Sequence, residues 1–282
     1  MQETRSSRNP AHADRTVIFN ADDYGASPQA NAAIRDVLAG EVVRSVTVLA
    51  NAPAACDAAL LPSLFPHVSV GVHLNLTEYR PLLPPREVPT LVDRAGGFLP
   101  GRILLRRCLL GLVSEDEVLR EFLTQLERVA ALAGPPSHLD SHQNVHAYPV
   151  VFSAFLRLCA CSGVRRVRSQ RIFRPSCQPR SLSPARRLRE WIKLRRENRA
   201  RRSGLSAPDF SLASNPAYNR SAACLPDLFP WWSRVAGEIP PGVTEVIAHP
   251  GIGEAETRLY ASPAFAGLLE GSALRLASFA VV

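Results

Sequence analysis

The chain has 282 residues, 46% of them hydrophobic, which is enough to fill a sizeable core, and a formal net charge of +8. That composition excludes a disordered tail, and the greasiest stretch, Ile103 to Val113, is broken by Arg106 and Arg107, which excludes a membrane span. Six cysteines without a Cys-x-x-Cys pair fit neither a disulfide scaffold nor a zinc ribbon, so reduced thiols are expected.

The first sixteen residues, Met1 to Thr16, are polar and lack the apolar core of a secretory signal. A cytoplasmic location is therefore expected, with residues 1–15 disordered or extended ahead of a single domain at 16–282. The first strand is expected at Thr16 to Asn20. A helix follows, with Ser27 as N-cap, Pro28 in its first position and Gly40 just past its end. Val42 to Leu49 and Val68 to Leu74 read as the next two strands. After an interruption at about 77–113, Ser114 and Glu117 form a capping box for a helix from Glu115 to Ala133, which Gly134 and Pro135 stop. Then come a strand at His138 to Ser141, a helix from Tyr148 to Ser162 closed by Gly163, and a strand at Val164 to Arg168. A second interruption at about 170–226 precedes strands at Glu245 to Ala248 and Ala273 to Phe279. Strand and helix alternate throughout, which predicts parallel strands covered by helices, closed into a barrel or open and doubly wound, with closure the favoured form. Long interruptions of this kind commonly form binding walls.

The ionisable residues fall at the carboxyl ends of these strands. Asp22 and Asp23 follow the first, His73 ends the third, Asp140 and His142 end the fourth with His146 just beyond, and His249 ends the sixth. In parallel α/β folds those ends converge on one face, where active sites are built. Each element alone has a bland explanation: a tight turn for Asp22-Asp23-Tyr24-Gly25, a hydrogen-bonded core histidine for His73, a loop histidine for His249. Packing, however, does not need three imidazoles between His138 and His146. One carboxylate and two neutral imidazoles leave open positions on a divalent metal, and an adjacent unliganded carboxylate can take a proton from water. Asp22 and Asp23 supply such a split pair, because neighbours at a bending strand end can point apart.

Four motifs, Asn20-Ala21-Asp22-Asp23-Tyr24-Gly25, Gly71-Val72-His73-Leu74-Asn75-Leu76, His138 through His146, and Ala248-His249-Pro250-Gly251, resemble in order and spacing the YdjC-like carbohydrate deacetylases. That family includes chitooligosaccharide deacetylases and a branch associated with hopanoid biosynthesis. The resemblance implies a distorted seven-stranded TIM-like (β/α) barrel and metal-dependent removal of an acetyl group from an N-acetylated amino sugar. It implies one divalent ion, Mg2+ or Zn2+ foremost, on Asp23, His73 and His142, with Asp22 as general base and His249 as acid. Asp140, His146, Asn75 and Tyr24 are then candidates for orienting the ligands or contacting substrate. The sequence departs from the pattern at Asn144, where relatives often carry His, and at Tyr24, where Phe is frequent.

The positive charge is local. Arg165 to Arg202 holds fourteen Arg and one Lys against two Glu, a balance of +13, so the rest of the chain carries −5. Within it, residues 184–202 read as a basic helix with Leu188, Trp191 and Ile192 along one side. Such a helix suits either peripheral contact with an anionic membrane at its inner face or a salt-bridged cover on the barrel. Nucleic acid is disfavoured, because Phe173 and Trp191 are the segment's only aromatics. The substrate expected is an N-acetylated amino sugar, oligomeric or lipid-linked. Alternatives on the same ligands are another metal-dependent hydrolase, of phosphoesters or non-sugar amides, and a non-catalytic carbohydrate or lipid binder.

Overall fold

The computed structural model describes residues 14–40, 42–178, 183–215, 227–252 and 254–282. The expected N-terminal segment lies almost wholly outside them, as do residues 179–182 and 216–226 of the second interruption. The strands are β1 (Arg15–Tyr24), β2 (Ser45–Val48), β3 (Ser69–Leu74), β4 (Leu139–Ser141), β5 (Phe210–Ala213), β6 (Gly242–Ala248) and β7 (Arg275–Ala277). The helices are α1 (Pro28–Ala39), α2 (Leu61–Leu64), α3 (Gly101–Leu109), α4 (Glu115–Ala133), α5 (Val151–Ser162), α6 (Pro184–Arg202), α7 (Phe229–Val235), α8 (Glu254–Tyr260) and α9 (Pro263–Gly271).

Every strand pairing is parallel, in the order β4-β3-β2-β1-β6-β5, with β7 added beside β1. A parallel sheet under helices is buried on both faces, which accounts for the almost unbroken burial along β1. Its outward side chains meet the helical layer: Phe19 packs 5.4 Å from the rings of both Trp232 on α7 and Tyr260 on α8. The helix ends follow the sequence signals. Ser27 Oγ accepts the amide of Ala30 at 3.1 Å, Ser114 Oγ accepts that of Glu117, and α5 ends at Gly163 with φ 74°.

The sheet curls into a half-barrel that no continuous ladder closes. The expected strand at Val164 to Arg168 carries only isolated parallel bridges, Leu139 with Val167 and Arg166 with Ser206, and Ile172 bridges Ser211 further on. The fifth ladder strand is instead β5, inside the second interruption. Arginines at 165, 166 and 168 leave the 164–168 run with too few apolar side chains to sustain a two-sided buried strand, so it spans the gap by single bridges. Both interruptions hold structure of their own: α3 and an antiparallel bridge between Val92 and Phe98 in the first, α6 and β5 in the second.

The inner face of the sheet is polar. Period-two alternation brings Asn20 and Asp22 of β1, Thr47 of β2, His73 of β3 and Asp140 of β4 to one side, where they bond one another, and Glu245 of β6 joins them through Arg168. Gly71 of β3 lies beneath the His138 ring, which stacks on Phe279 with centroids 3.8 Å apart. Among the described helices none is long and apolar enough to cross a membrane.

Candidate active site

The site begins with an irregularity in β1. The register against β2 shifts between Ala21 and Tyr24, and Asp23 adopts φ 66°. This bulge turns two consecutive carboxylates to different neighbours. Asp22 points into the half-barrel, where the Arg168 guanidinium grips both its oxygens at 2.6 and 2.7 Å. Asp23 Oδ1 lies 3.2 Å from His73 Nε2 and 2.9 Å from His142 Nδ1. Gly25, at φ 103° and with Leu49 O 3.0 Å from where a Cβ would stand, lets the chain turn sharply out of the bulge.

His73 is fixed from behind. Its Nδ1 sits 2.6 Å from Asp140 Oδ1, which leaves Nε2 facing Asp23. Thr47 donates to Asp140 Oδ2 at 3.2 Å, and Arg168 Nη2 reaches the same oxygen at 2.6 Å while its Nε bonds Glu245 at 2.7 Å. His142 opens the turn after β4, and the next two residues, Gln143 and Asn144, both take left-handed conformations at φ 53° and 54°. Four of the five non-glycine positive φ values among the described residues, at Asp23, Tyr79, Gln143 and Asn144, belong to the segments that carry this cluster. Such strain persists only where surrounding structure enforces it. His249 closes the group from β6, with Nε2 3.8 Å from Asp22 Oδ2 and its backbone amide bonded to the Glu256 carboxylate.

Three acidic side chains, Asp22, Asp140 and Glu245, thus meet on one buried cation, Arg168, while a fourth, Asp23, faces the two histidines. Burial pushes Asp22 up, but Arg168 and His73 outweigh it and hold the carboxyl at about 2. Burial and the carboxylates of Asp140 and Asp22 push Glu245 up to about 7 against the pull of Arg168. Burial lowers His73, yet Asp140 and Asp22 drive it well above the usual imidazole range. The cluster holds more negative charge than Arg168 balances, and it draws protons onto imidazole; a dication answers the same excess.

Two groups of donor atoms lie close enough to share an ion: Asp23, His73 and His142, and Asp22, His73 and Asp140, each within 4.8 Å. In the second group Arg168 occupies Asp22 and Asp140, and Asp140 faces the Nδ1 side of His73. In the first group Asp23 Oδ1 faces His73 Nε2 and His142 Nδ1, and the ion pairs of Arg168 go to other carboxylates. A carboxylate and two imidazoles suit a divalent cation with open positions.

The other sequence candidates sit outside this cluster. His146 is buried behind it, with its amide and ring both on Ser141 Oγ and its Nε2 2.7 Å from Gln170 Nε2; burial lowers it to about 3. Asn75 braces the loop after β3, accepting from the amides of Thr77 and Glu78 and donating to Glu78 O. Tyr24 turns away, its ring in the core and its hydroxyl near Asp57 O and Arg35. Sequence reasoning missed Thr47, Arg168, Glu245 and Glu78. Glu245 carried a readable signal, a charge within an apolar run, whereas Arg168 was one arginine among fourteen.

Comparison with known proteins places these residues in context. The family model for YdjC-like protein matches residues 16–271. A carbohydrate deacetylase of Geobacillus stearothermophilus is 41% identical over 138 residues, 49% of this chain and 53% of the relative. A chitooligosaccharide deacetylase of Serratia marcescens is 36% identical over 140 residues, again 49% and 53%. The chain thus spans about half the length of the curated relatives it matches. Among solved structures, a candidate cellobiose-phosphate cleavage protein of Enterococcus faecalis V583 superposes with a TM-score of 0.70 at 23% identity, covering 94% of this chain and 98% of that one. A CE4 esterase of Streptococcus mutans gives 0.50 at 13% identity, covering 94% and 86%. At such identities these two likenesses speak for the fold alone.

Proposed function

This chain belongs to the YdjC-like family, and from that membership and the arrangement of its site we propose that it is a metal-dependent carbohydrate N-deacetylase, hydrolysing the acetamide of an N-acetylated amino sugar to acetate and a free amine. The observation that carries the proposal is the split pair: one bulge presents Asp23 to two histidines and Asp22 to Arg168. Asp23, His73 and His142 would hold the divalent ion, Mg2+ or Zn2+ foremost, and that ion supplies polarisation of the amide carbonyl and acidification of water.

The rest is the work of this chain's own side chains. Asp22, kept ionised and oriented by Arg168, takes the proton of the attacking water. Burial lowers His249 and leaves it neutral; with its Nε2 3.8 Å from Asp22 Oδ2 it can accept the proton that Asp22 takes from water and pass one to the departing amine. Asp140 holds the His73 tautomer, and Arg168 ties both aspartates to one rigid point. The relatives named deacetylases support the acetyl group as the target. Acetate release from N-acetylglucosamine oligomers, measured after chelation and after return of Mg2+ or Zn2+, tests the assignment. Metal-restored acetate supports it; phosphate release from phosphoesters instead, or sugar binding without turnover, contradicts it.

The lipid-linked form of the substrate has its own support. α6 leaves Leu188 and Trp191 exposed among Arg186, Arg187 and Arg189, and α3 exposes Ile103 and Leu109 beside Arg102 and Arg106. The carboxyl half of α6 packs inward through Glu197 and Ala200, so the helix covers the half-barrel with one end and presents an apolar, basic surface with the other. Flotation with anionic but not neutral liposomes is the result expected; no association with either at low salt removes the membrane contact.

A further inference from the structure

We infer that Glu78 is the positioning carboxylate of the His142 imidazole and thereby sets the affinity of the site for its metal ion. The inference rests on the reading of Asp23, His73 and His142 as the metal-holding set. An imidazole that binds a metal through one nitrogen carries its proton on the other and needs an acceptor there. For His73 that acceptor is Asp140, 2.6 Å from Nδ1. For His142, Nδ1 faces Asp23 at 2.9 Å, and the opposite nitrogen, Nε2, is buried and lacks a well-formed hydrogen bond. The carboxylate beside it is Glu78, with Oε1 3.1 Å away.

The surroundings hold Glu78 in place. Asn75 Oδ1 accepts its amide at 3.2 Å, while Asn75 Nδ2 and Asn51 Nδ2 donate to its carbonyl at 2.8 and 3.1 Å. The next residue, Tyr79, is in the left-handed region at φ 63°. Gln143, itself left-handed and directly after His142, donates from Nε2 to the same Glu78 Oε1 at 3.2 Å. The loop after β3 and the turn after β4 are therefore tied together through one carboxylate. The Glu78 side chain is 45% exposed, so the core does not depend on it.

Removing such a partner typically weakens metal binding by about 10- to 100-fold. The test is calorimetric titration of chelator-stripped protein with Co2+, with the visible absorption of the bound ion recorded alongside. Wild type takes up one ion; Glu78→Gln takes up one ion about 10- to 100-fold more weakly and with an altered visible band. Glu78→Asp, which keeps the charge, recovers most of the affinity. Glu115→Gln, which removes a surface carboxylate on α4, leaves it unchanged. Equal affinity in wild type and Glu78→Gln overturns the inference while leaving the site intact. Complete loss of binding, as in His73→Ala, overturns it by making Glu78 a ligand. A wild-type chain that binds no Co2+ overturns both the inference and the site on which it stands.

Discussion

Arg168 is a fully buried cation whose three nitrogens reach Asp22, Asp140 and Glu245. Its planar fork grips Asp22 through two nitrogens and still reaches Asp140 and Glu245, a span that the single nitrogen of an ammonium lacks. Removing one member of such a buried network leaves charges uncompensated, at a cost of about 3–5 kcal/mol. Arg168→Met is therefore expected to lower the urea midpoint markedly, with Arg168→Lys between it and wild type; an unchanged midpoint for Arg168→Met contradicts the role. Glu256 offers a second test at this scale. Its carboxylate accepts the His249 amide, and burial raises it to about 7. Between pH 4.5 and 7 the folded chain keeps a proton that the unfolded chain has released, so stability falls as pH rises through that window and is level above it. The total is on the order of 3 kcal/mol. Urea unfolding of Glu256→Gln across the window is expected to show a slope less negative than wild type by that share, with Glu245, also raised to about 7, still contributing its own; a slope equal to wild type would contradict the assignment.

At the scale of elements, what could be read in the sequence depended on whether the signal was local. Ser27 with Pro28, and Ser114, mark helix starts because the hydroxyl caps an amide three residues on, although the reciprocal half of the expected capping box is replaced by Thr90, which bonds both the Ser114 amide and the Glu117 carboxylate. β1 and β3 announce themselves by apolar runs that end in Asp22 and His73, so the gathering of these strand ends was foreseeable, while the set Asp23, His73 and His142 was implied by the family resemblance. β5 was not: it is four residues long, and only pairing with β6 makes it a strand. Glu78 was equally silent, since its position follows from Asn51 and Asn75 bonding its carbonyl across the loop. Gly71 shows the converse, a glycine in an apolar strand whose reason lies at the start of the neighbouring strand β4. A Cβ there would meet His138 Cε1 at 2.5 Å, with Phe279 stacked on the other face of that ring. Gly71→Ala is expected to cost about 1–3 kcal/mol by overpacking, read from denaturant unfolding. A neutral result would mean that the ring has room to move.

Across the whole molecule, the parallel sheet gathers side chains from β1, β3, β4 and β6 at one end and leaves the half-barrel open there. The basic excess that dominates the composition lies mostly outside this centre, with Arg168 alone entering it. The proposed division of labour between Asp22 and Asp23 rests on the bulge that turns one to Arg168 and the other to His73 and His142. The most direct test measures bound metal and acetate release together on Asp22→Asn and His73→Ala. Asp22→Asn is predicted to keep one divalent ion per chain while acetate release falls by about 10²- to 10⁴-fold, and His73→Ala to lose both ion and turnover. An Asp22→Asn protein that loses its ion as completely as His73→Ala, or that turns over at the wild-type rate, would contradict the division of roles between the two aspartates.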